Sequence, residues 1–278
     1  MYTFLKERSI YKITGEDRVK FLQGILSNDI TKINDKTSLY ACMLTPQGKY
    51  LADFFLISKG NEIIFDLPSS NSEEIIKKLN IYRLRSRIQI SECTDYCAVS
   101  FIKEPTINQL KSSIIYSDPR SNSLGQRCYI NERDINDLKT HFIEKAETYD
   151  QIRIDNFIPE GNKDLIPNKS FPFEYELDQL NAIDYNKGCY IGQELVARTH
   201  YLGKVRKQIV KALAQDALPP LGTEIFSGEK KIGIICSSIN NKGLALVRTE
   251  DALQHNNINK ITANSLEIKL IFKEKKND

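Results

Sequence analysis

Residues 187–199 concentrate side chains that can do chemistry. Cys189 lies next to a glycine, with Lys187 two residues before it and Arg198 on its other side. A thiol near cations or a helix N-terminus has a larger thiolate fraction, and the thiolate is the reactive form. Glycines let the backbone turn tightly and let another segment approach closely. The spacing therefore indicates either a reactive thiol or a small residue in a glycine turn, and it favours neither.

Two charged residues of this stretch, Glu194 and Arg198, are four positions apart on a predicted helix that begins near Ile191. They can form a surface ion pair worth about 0.3–0.5 kcal/mol. Alternatively, Glu194 orients Arg198 to bind an anion such as a carboxylate. Arg206 and Lys207 follow closely enough to enlarge such an anion site.

Two acids have apolar neighbours, Asp53 within residues 51–55 and Glu174 after an aromatic and proline cluster at 171–173. Each either faces solvent or lines a polar pocket, where a carboxylate accepts hydrogen bonds from the ring N–H groups of a heterocycle. The preceding residues 45–49 include a glycine and a lysine but lack the spacing of a phosphate loop, which favours a hairpin turn.

The six cysteines are scattered along the chain: Cys42, Cys93, Cys97, Cys128, Cys189 and Cys236. This distribution favours reduced thiols over the disulfide framework of a small secreted domain. Cys93 and Cys97 are close enough to be half of a metal site, but no second close pair accompanies them, so we favour buried, unligated thiols. The N-terminus lacks the features of a signal or transit peptide, which predicts a cytoplasmic protein whose mature chain starts at residue 1.

Composition indicates a globular protein of about two domains. The 278 residues are 41% hydrophobic and 27% charged, and the net charge of +3 gives no indication of nucleic-acid binding. No apolar run is long enough to span a membrane.

The elements that must position these residues fall into two groups. Residues 9–102 predict the order β-α-β-β-β-α-β, which favours an α+β fold over a doubly wound parallel sheet. A long loop is expected at 159–173, where proline, asparagine and glycine are frequent. Short strands at 205–213, 224–226, 231–237, 244–248 and 266–271 then predict a small β-barrel. We place a first domain at 1–204 and a second at 205–278.

Together these motifs resemble the YgfZ/Iba57 family of folate-binding proteins, which support iron–sulfur cluster maturation and are related in fold to the glycine-cleavage aminomethyltransferase. The signature reads Lys187, Gly188, Cys189, Tyr190, Ile191, Gly192, Gln193 and Glu194, followed by Arg198. Further stretches agree in collinear order: 21–24 with 28–29, 44–49 with 53, 82–85, 118–120 with 124–125, and 171–174 with 177–178. The region after about residue 207 agrees only in its β texture.

The resemblance implies an aminomethyltransferase-like α+β fold. Two interwoven ferredoxin-like units would surround a central folate pocket, and a small β-barrel would follow. It also implies tetrahydrofolate as the ligand. Asp53 and Glu174 would contact the pterin, and Arg198 and Arg206 would bind the glutamate carboxylates of the folate.

For function, the resemblance implies an accessory protein in the synthesis or repair of iron–sulfur clusters, with Cys189 as the functional thiol. Assembly factors or client iron–sulfur enzymes would be its partners, without direct nucleic-acid or membrane binding, and tRNA modification would be a linked process. No stably bound metal or cluster is expected, because one motif cysteine cannot supply four ligands. The alternatives are a folate-dependent aminomethyltransferase or demethylase, in which Asp53 orients the amine, and a structural module with an incidental thiol.

Overall fold

The computed structural model describes residues 1–103, 110–203, 205–255 and 260–273, with the backbone alone for 253–255. Its strands are β1 Tyr2–Phe4, β2 Arg8–Thr14, β3 Leu39–Leu44, β4 Tyr50–Lys59, β5 Glu62–Pro68, β6 Gln89–Glu92, β7 Tyr96–Phe101, β8 Ile114–Ser117, β9 Gln126–Asn131, β10 Lys207–Ala214, β11 Glu224–Ser227, β12 Lys230–Ile239, β13 Lys242–Arg248, β14 Ile261–Ala263 and β15 Leu266–Ile271. Its helices are α1 Arg18–Gln23, α2 Ser72–Tyr82, α3 Ile135–His141, α4 Thr148–Asp155, α5 Gly161–Asp164, α6 Gln193–Leu202 and α7 Thr249–His255.

Two antiparallel sheets form the first part of the molecule, in the orders β3-β4-β5-β2-β6 and β1-β7-β9-β8. Strand β4, which lies between β3 and β5, is buried on both faces from Tyr50 to Ile57. Its side chains alternate between two cores because successive residues of a strand point to opposite faces. Phe54 packs in the cluster that includes residues of α1 and α2, whereas Phe55 packs in the cluster that reaches the second sheet.

Charged side chains fill the space where the two sheets face each other. Asp66 of β5 accepts hydrogen bonds from Arg8 of β2 and from Arg127 and Tyr129 of β9. The neighbouring Arg120 is fully buried, and Asp118, Tyr149 and Glu160 bind its guanidinium. Because removal of these charges from water is costly, each is paired, and the contacts of Asp66 join the two sheets.

Six strands close the β-barrel in the order β10-β13-β12-β11-β14-β15. The predicted α+β fold with a C-terminal barrel is thus confirmed. The sequence pattern missed β14, a three-residue strand that pairs with both β11 and β15. Residue 204, at which the predicted first domain ends, lies outside the described residues.

The barrel also shares a core with the first part. Ile209, Cys236 and Leu246 of the barrel belong to the same apolar cluster as Tyr40 and Phe55 of the first sheet. A buried polar contact joins the same two parts. The carboxylate of Asp164 accepts from the backbone N–H of Ser237 at 2.7 Å and binds the Arg153 guanidinium at 2.9 Å.

The segment predicted as a long loop, 159–173, is more ordered than its composition indicates. It contains the short helix α5, and a 3₁₀ helix begins at Pro172. Proline suits the first position of a helix because its missing N–H would have no partner there. Within the described ranges, no helix is both long and apolar enough to cross a membrane.

Candidate functional site

The loop before α6 is held in place by Lys187. Its ammonium donates to the carbonyl oxygens of Gln23, Leu26 and Asn28, the first at 2.9 Å and the last at 2.7 Å. Gln23 is the last residue of α1, whose terminal carbonyls lack partners within the helix and carry partial negative charge. Burial lowers the pKa of Lys187 to about 8, although the charge of Asp29 opposes this shift.

These contacts give Lys187 a role that the sequence did not predict. An ammonium has three N–H donors, and all three point at backbone carbonyls. Lys187 therefore anchors the loop and has no donor left for the thiol.

A second anchor follows the cysteine. The backbone N–H of Ile191 donates to the carbonyl of Gly24 at 3.3 Å, and that of Tyr190 donates to the Gln193 side chain at 3.1 Å. Gly192 has a φ of +87°, and a Cβ at this position would lie 2.5 Å from the Thr45 carbonyl oxygen. Only glycine fits this contact with the β3–β4 turn. Helix α6 consequently begins at Gln193 and not at the predicted Ile191.

Cys189 lies between these two anchors and is exposed. All six cysteines lie in the described ranges, and the others are buried apart from the half-buried Cys97. A Cβ added at Gly188 would meet no atom within 4 Å, so the position next to the cysteine is not crowded. The backbone is thus held on both sides of a side chain that solvent and other molecules can reach.

Helix α6 presents two different faces. Leu195, Val196 and Thr199 line a cleft, as expected for residues three and four positions apart on one face of a helix. Glu194 and Arg198 are exposed. No salt bridge in the described part of the chain includes either of them, so the structure does not contain the predicted ion pair.

The cleft has a volume of about 270 Å³ and lies between α6, the β3–β4 turn and the start of the barrel. Its lining consists of Gly48, Phe171, Phe173, Glu174, Leu195, Val196, Thr199, Val205 and Arg206. Glu174 forms a 3.2 Å ion pair with Lys207. The cleft therefore combines apolar and aromatic walls with one carboxylate and one guanidinium.

The other predicted carboxylate, Asp53, lies elsewhere. It is fully buried and accepts hydrogen bonds from Arg8 at 2.8 Å, from Tyr40 at 3.0 Å and from Tyr50 at 3.2 Å. Asp53 faces neither solvent nor the cleft. Its side chain points to the interior between the sheets, because it shares the face of β4 that carries Phe55.

The structure therefore brings together two of the four predicted folate contacts, Glu174 and Arg206. Asp53 and Arg198 do not line the same cleft. Sequence reasoning missed the apolar wall of α6, although the spacing of Leu195 and Thr199 is a helix-face signal. Of the two cysteines that are four positions apart, Cys93 is buried and Cys97 is half-buried. Burial raises the pKa of Cys93 to about 11.

Comparisons with known proteins add to this geometry. Residues 206–273 match the family described as CAF17, C-terminal beta-barrel domain. The chain is 34% identical over 227 residues to the iron-sulfur cluster assembly factor IBA57 homolog, mitochondrial, of Mycosarcoma maydis, covering 73% of this chain and 54% of that protein. The Dictyostelium discoideum homolog is 30% identical, covering 74% of this chain and 60% of its own length. The human IBA57 protein is 27% identical, covering 88% and 77% respectively.

The chain thus spans only 54% to 60% of the length of the first two relatives. Among solved structures, the glycine cleavage system aminomethyltransferase T from Bartonella henselae superposes with a TM-score of 0.77 over 98% of this chain and 84% of that chain. The sequence identity is 12%, so this match shows the fold alone. Together these matches confirm the resemblance predicted from the sequence: the chain is similar to the IBA57 iron–sulfur cluster assembly factors, and it has an aminomethyltransferase-like fold with a CAF17-type β-barrel.

Proposed function

We propose that this chain is a tetrahydrofolate-binding accessory protein in the synthesis or repair of iron–sulfur clusters, with Cys189 as its functional thiol. The observation that carries the proposal is the loop around Cys189, which is fixed on both sides and leaves the thiol exposed. The relatives are named iron–sulfur cluster assembly factors, which supports the same role here.

The cleft beside α6 suits the proposed folate. Phe171 and Phe173 can stack against a planar pterin ring, and Glu174 can accept hydrogen bonds from its N–H groups. Arg206 can bind a glutamate carboxylate of the folate. Lys207, which now pairs with Glu174, would have to share that carboxylate with the ligand. When bound, tetrahydrofolate supplies one-carbon transfer chemistry.

Cys189 would contact the cluster as transient cargo. A cubane cluster usually has four cysteine ligands, and this loop offers one. The remaining ligands would come from an assembly factor or a client iron–sulfur enzyme. An exposed thiol on a fixed backbone suits this exchange, because a second protein can approach it without unfolding the loop.

The alternative, a folate-dependent aminomethyltransferase or demethylase, has less support. That chemistry assigns Asp53 to orient the amine. In this structure the Asp53 carboxylate is enclosed by Arg8, Tyr40 and Tyr50 and is separate from the cleft. The fold match to an aminomethyltransferase carries no information about activity at 12% identity.

Three further expectations stay predictions. The relatives are named mitochondrial, which gives no support to a cytoplasmic location. The absence of direct nucleic-acid binding and the link to tRNA modification are untested.

We expect Cys189→Ala to fail in a complementation test while its folate affinity is unchanged. Cells that lack the endogenous protein would receive the wild type, Cys189→Ala or the control Cys97→Ala, and the activities of cluster-dependent enzymes would be measured. Calorimetry with tetrahydrofolate on the same purified proteins checks the cleft. Normal enzyme activities with Cys189→Ala would contradict the role of the thiol.

Glu174→Gln separates the two halves of the proposal. Loss of a charge-assisted hydrogen bond, worth about 1.5–3 kcal/mol, lowers affinity about tenfold or more. We therefore expect weaker tetrahydrofolate binding by Glu174→Gln in calorimetry, with Cys189 still reactive toward a thiol reagent. Unchanged affinity would contradict the assignment of the cleft.

A further inference from the structure

The end of α2 and the turn after it expose a run of apolar and basic side chains. Ile81 is 62% exposed, Tyr82 38% and Leu84 86%. Arg83 and Arg85, which alternate with them, are also exposed. We call residues 81–85 the α2 end patch. It has no place in the folate or thiol chemistry above.

The patch is held in one conformation. On one side Leu79 is completely buried, and its carbonyl accepts from the N–H of Arg83 at 3.0 Å. On the other side the N–H of Arg87 donates to the Asp17 carboxylate at 2.7 Å, and the next residue, Ile88, is buried. The exposed side chains are therefore presented by a fixed backbone.

Leu84 is strained where it lies. Its φ is +46°, in the left-handed region. That conformation costs an L-residue roughly 1–2 kcal/mol, and the position after a helix is usually filled by glycine or asparagine. Because the side chain is 86% exposed, packing within the chain does not offset this cost. Strain of this kind points to a role outside the folded chain itself.

The charges of the patch are also unbalanced. Arg87 pairs with Glu16 at 2.6 Å and with Asp17 at 3.4 Å. By contrast, no salt bridge among the residues described here includes Arg83 or Arg85. Two free guanidinium groups thus flank the most exposed leucine of the run.

We infer that the α2 end patch is a docking surface for a protein partner whose contacting segment carries carboxylates beside an apolar residue. Arginine and tyrosine are enriched where binding energy concentrates in protein interfaces. Paired Arg–carboxylate contacts would balance the free guanidinium groups, and Leu84 would be buried against the partner. A membrane surface fits less well, because lipid-binding segments typically carry four to eight basic residues. The inference is independent of folate binding and of the role of Cys189.

A phage-displayed library of random twelve-residue peptides tests the inference. The full chain serves as bait, and the double variant Arg83→Gln/Arg85→Gln serves for counter-selection. We expect the peptides enriched at least tenfold on the wild type to combine aspartate or glutamate with leucine, isoleucine or phenylalanine. A labelled synthetic copy of one such peptide is then titrated by fluorescence anisotropy at low and high salt.

Leu84→Asn is the decisive variant, since asparagine tolerates the left-handed conformation. We expect it to unfold at the same or a higher temperature than the wild type and to bind the peptide about tenfold more weakly. The double variant Lys36→Gln/Lys139→Gln is the control for Arg83→Gln/Arg85→Gln. It removes the same amount of charge elsewhere on the surface and should bind the peptide as the wild type does.

Three kinds of result would overturn the inference. The first concerns the peptides: either no acidic peptide is enriched, or the enriched peptides bind Leu84→Asn as tightly as the wild type. The second is that vesicles of phosphatidylcholine and phosphatidylserine bind the wild type and not Leu84→Asn, which would assign the patch to a membrane. The third is self-association that Leu84→Asn abolishes in sedimentation, which would assign it to a second copy of the chain.

Discussion

At the scale of single residues, the sequence shows which charged side chains lie within apolar strands, but it does not show which residues they pair with. The apolar neighbours of Asp53 identified it in the sequence as a carboxylate with an unusual environment. Its partner Arg8 is 45 positions away, so no local pattern predicts their pairing. The same holds for Lys187, whose acceptors lie at the end of α1 and just after it, more than 150 positions away in the sequence. The sequence indicates which side chains can form ion pairs or hydrogen bonds, whereas their partners are known only from the folded structure.

Asp66 provides a test of the buried network. Burial acts to raise its pKa, but the charges of Arg127 and Arg8 outweigh burial and hold the pKa below its ordinary value. The folded chain therefore binds this proton more weakly than the unfolded chain does. The stabilisation is complete above about pH 4, the ordinary pKa of aspartate, and is lost as the pH falls through the folded-state pKa.

We expect Asp66→Asn to lower the free energy of unfolding at pH 7 by about 3–5 kcal/mol, because the buried Arg127 loses its carboxylate partner and Arg8 keeps only Asp53. Below pH 4 its stability should also fall less steeply with pH than that of the wild type. Urea denaturation between pH 7 and pH 2 measures both quantities. The exposed Asp35→Asn is the control and should change stability by no more than about 0.5 kcal/mol. If the free energy of unfolding fell equally steeply with pH for Asp66→Asn and the wild type, this account would be contradicted.

At the scale of elements, the two glycines of the signature loop have different roles that their spacing does not distinguish. Gly192 contacts the β3–β4 turn, whereas Gly188 is surrounded by open space. The sequence predicted a tight glycine turn followed by a helix, and both are present. Which glycine is indispensable depends on the Thr45 carbonyl, which lies far away in the sequence.

We expect Gly192→Ala to lower the free energy of unfolding by about 2–4 kcal/mol, because it adds left-handed strain to a clash with backbone. Gly188→Ala, four residues earlier in the same loop, should cost no more than about 0.5 kcal/mol. Thermal and urea unfolding of both variants check this. Similar losses for the two substitutions would mean that the loop is not seated on the turn as described.

At the scale of the whole molecule, strand spacing and turn residues predicted the barrel, since each strand carries its own local signal. The strand pattern did not predict that the barrel shares a core with the first sheet. Ile209 and Leu246 look like ordinary barrel residues in the sequence, and only the assembled fold places them in the same apolar cluster as Phe55. The predicted division at residue 204 therefore describes a change from mixed helices and strands to short strands. It carries no information on how independently the two parts unfold.

The buried contact between Asp164, Arg153 and Ser237 should couple the two parts. We expect Asp164→Asn to lower the free energy of unfolding by about 3–5 kcal/mol, because Arg153 loses a buried partner. Asp155→Asn breaks a 2.8 Å pair with Lys242 that also joins α4 to the barrel but is exposed. That control should cost no more than about 1 kcal/mol. Calorimetry and urea denaturation make the comparison, and equal losses would contradict a buried coupling.

Helix α1 has a consequence for how a second protein would meet this molecule. Asp17, which immediately precedes the helix, holds Arg87 beside the α2 end patch, and the carbonyl of its last residue, Gln23, helps to hold Lys187 near Cys189. The helix has six residues, which corresponds to about 9 Å at 1.5 Å per residue. Helix α1 therefore acts as a rigid spacer: a protein docked at one end would hold its own reactive group at a fixed offset from the thiol at the other.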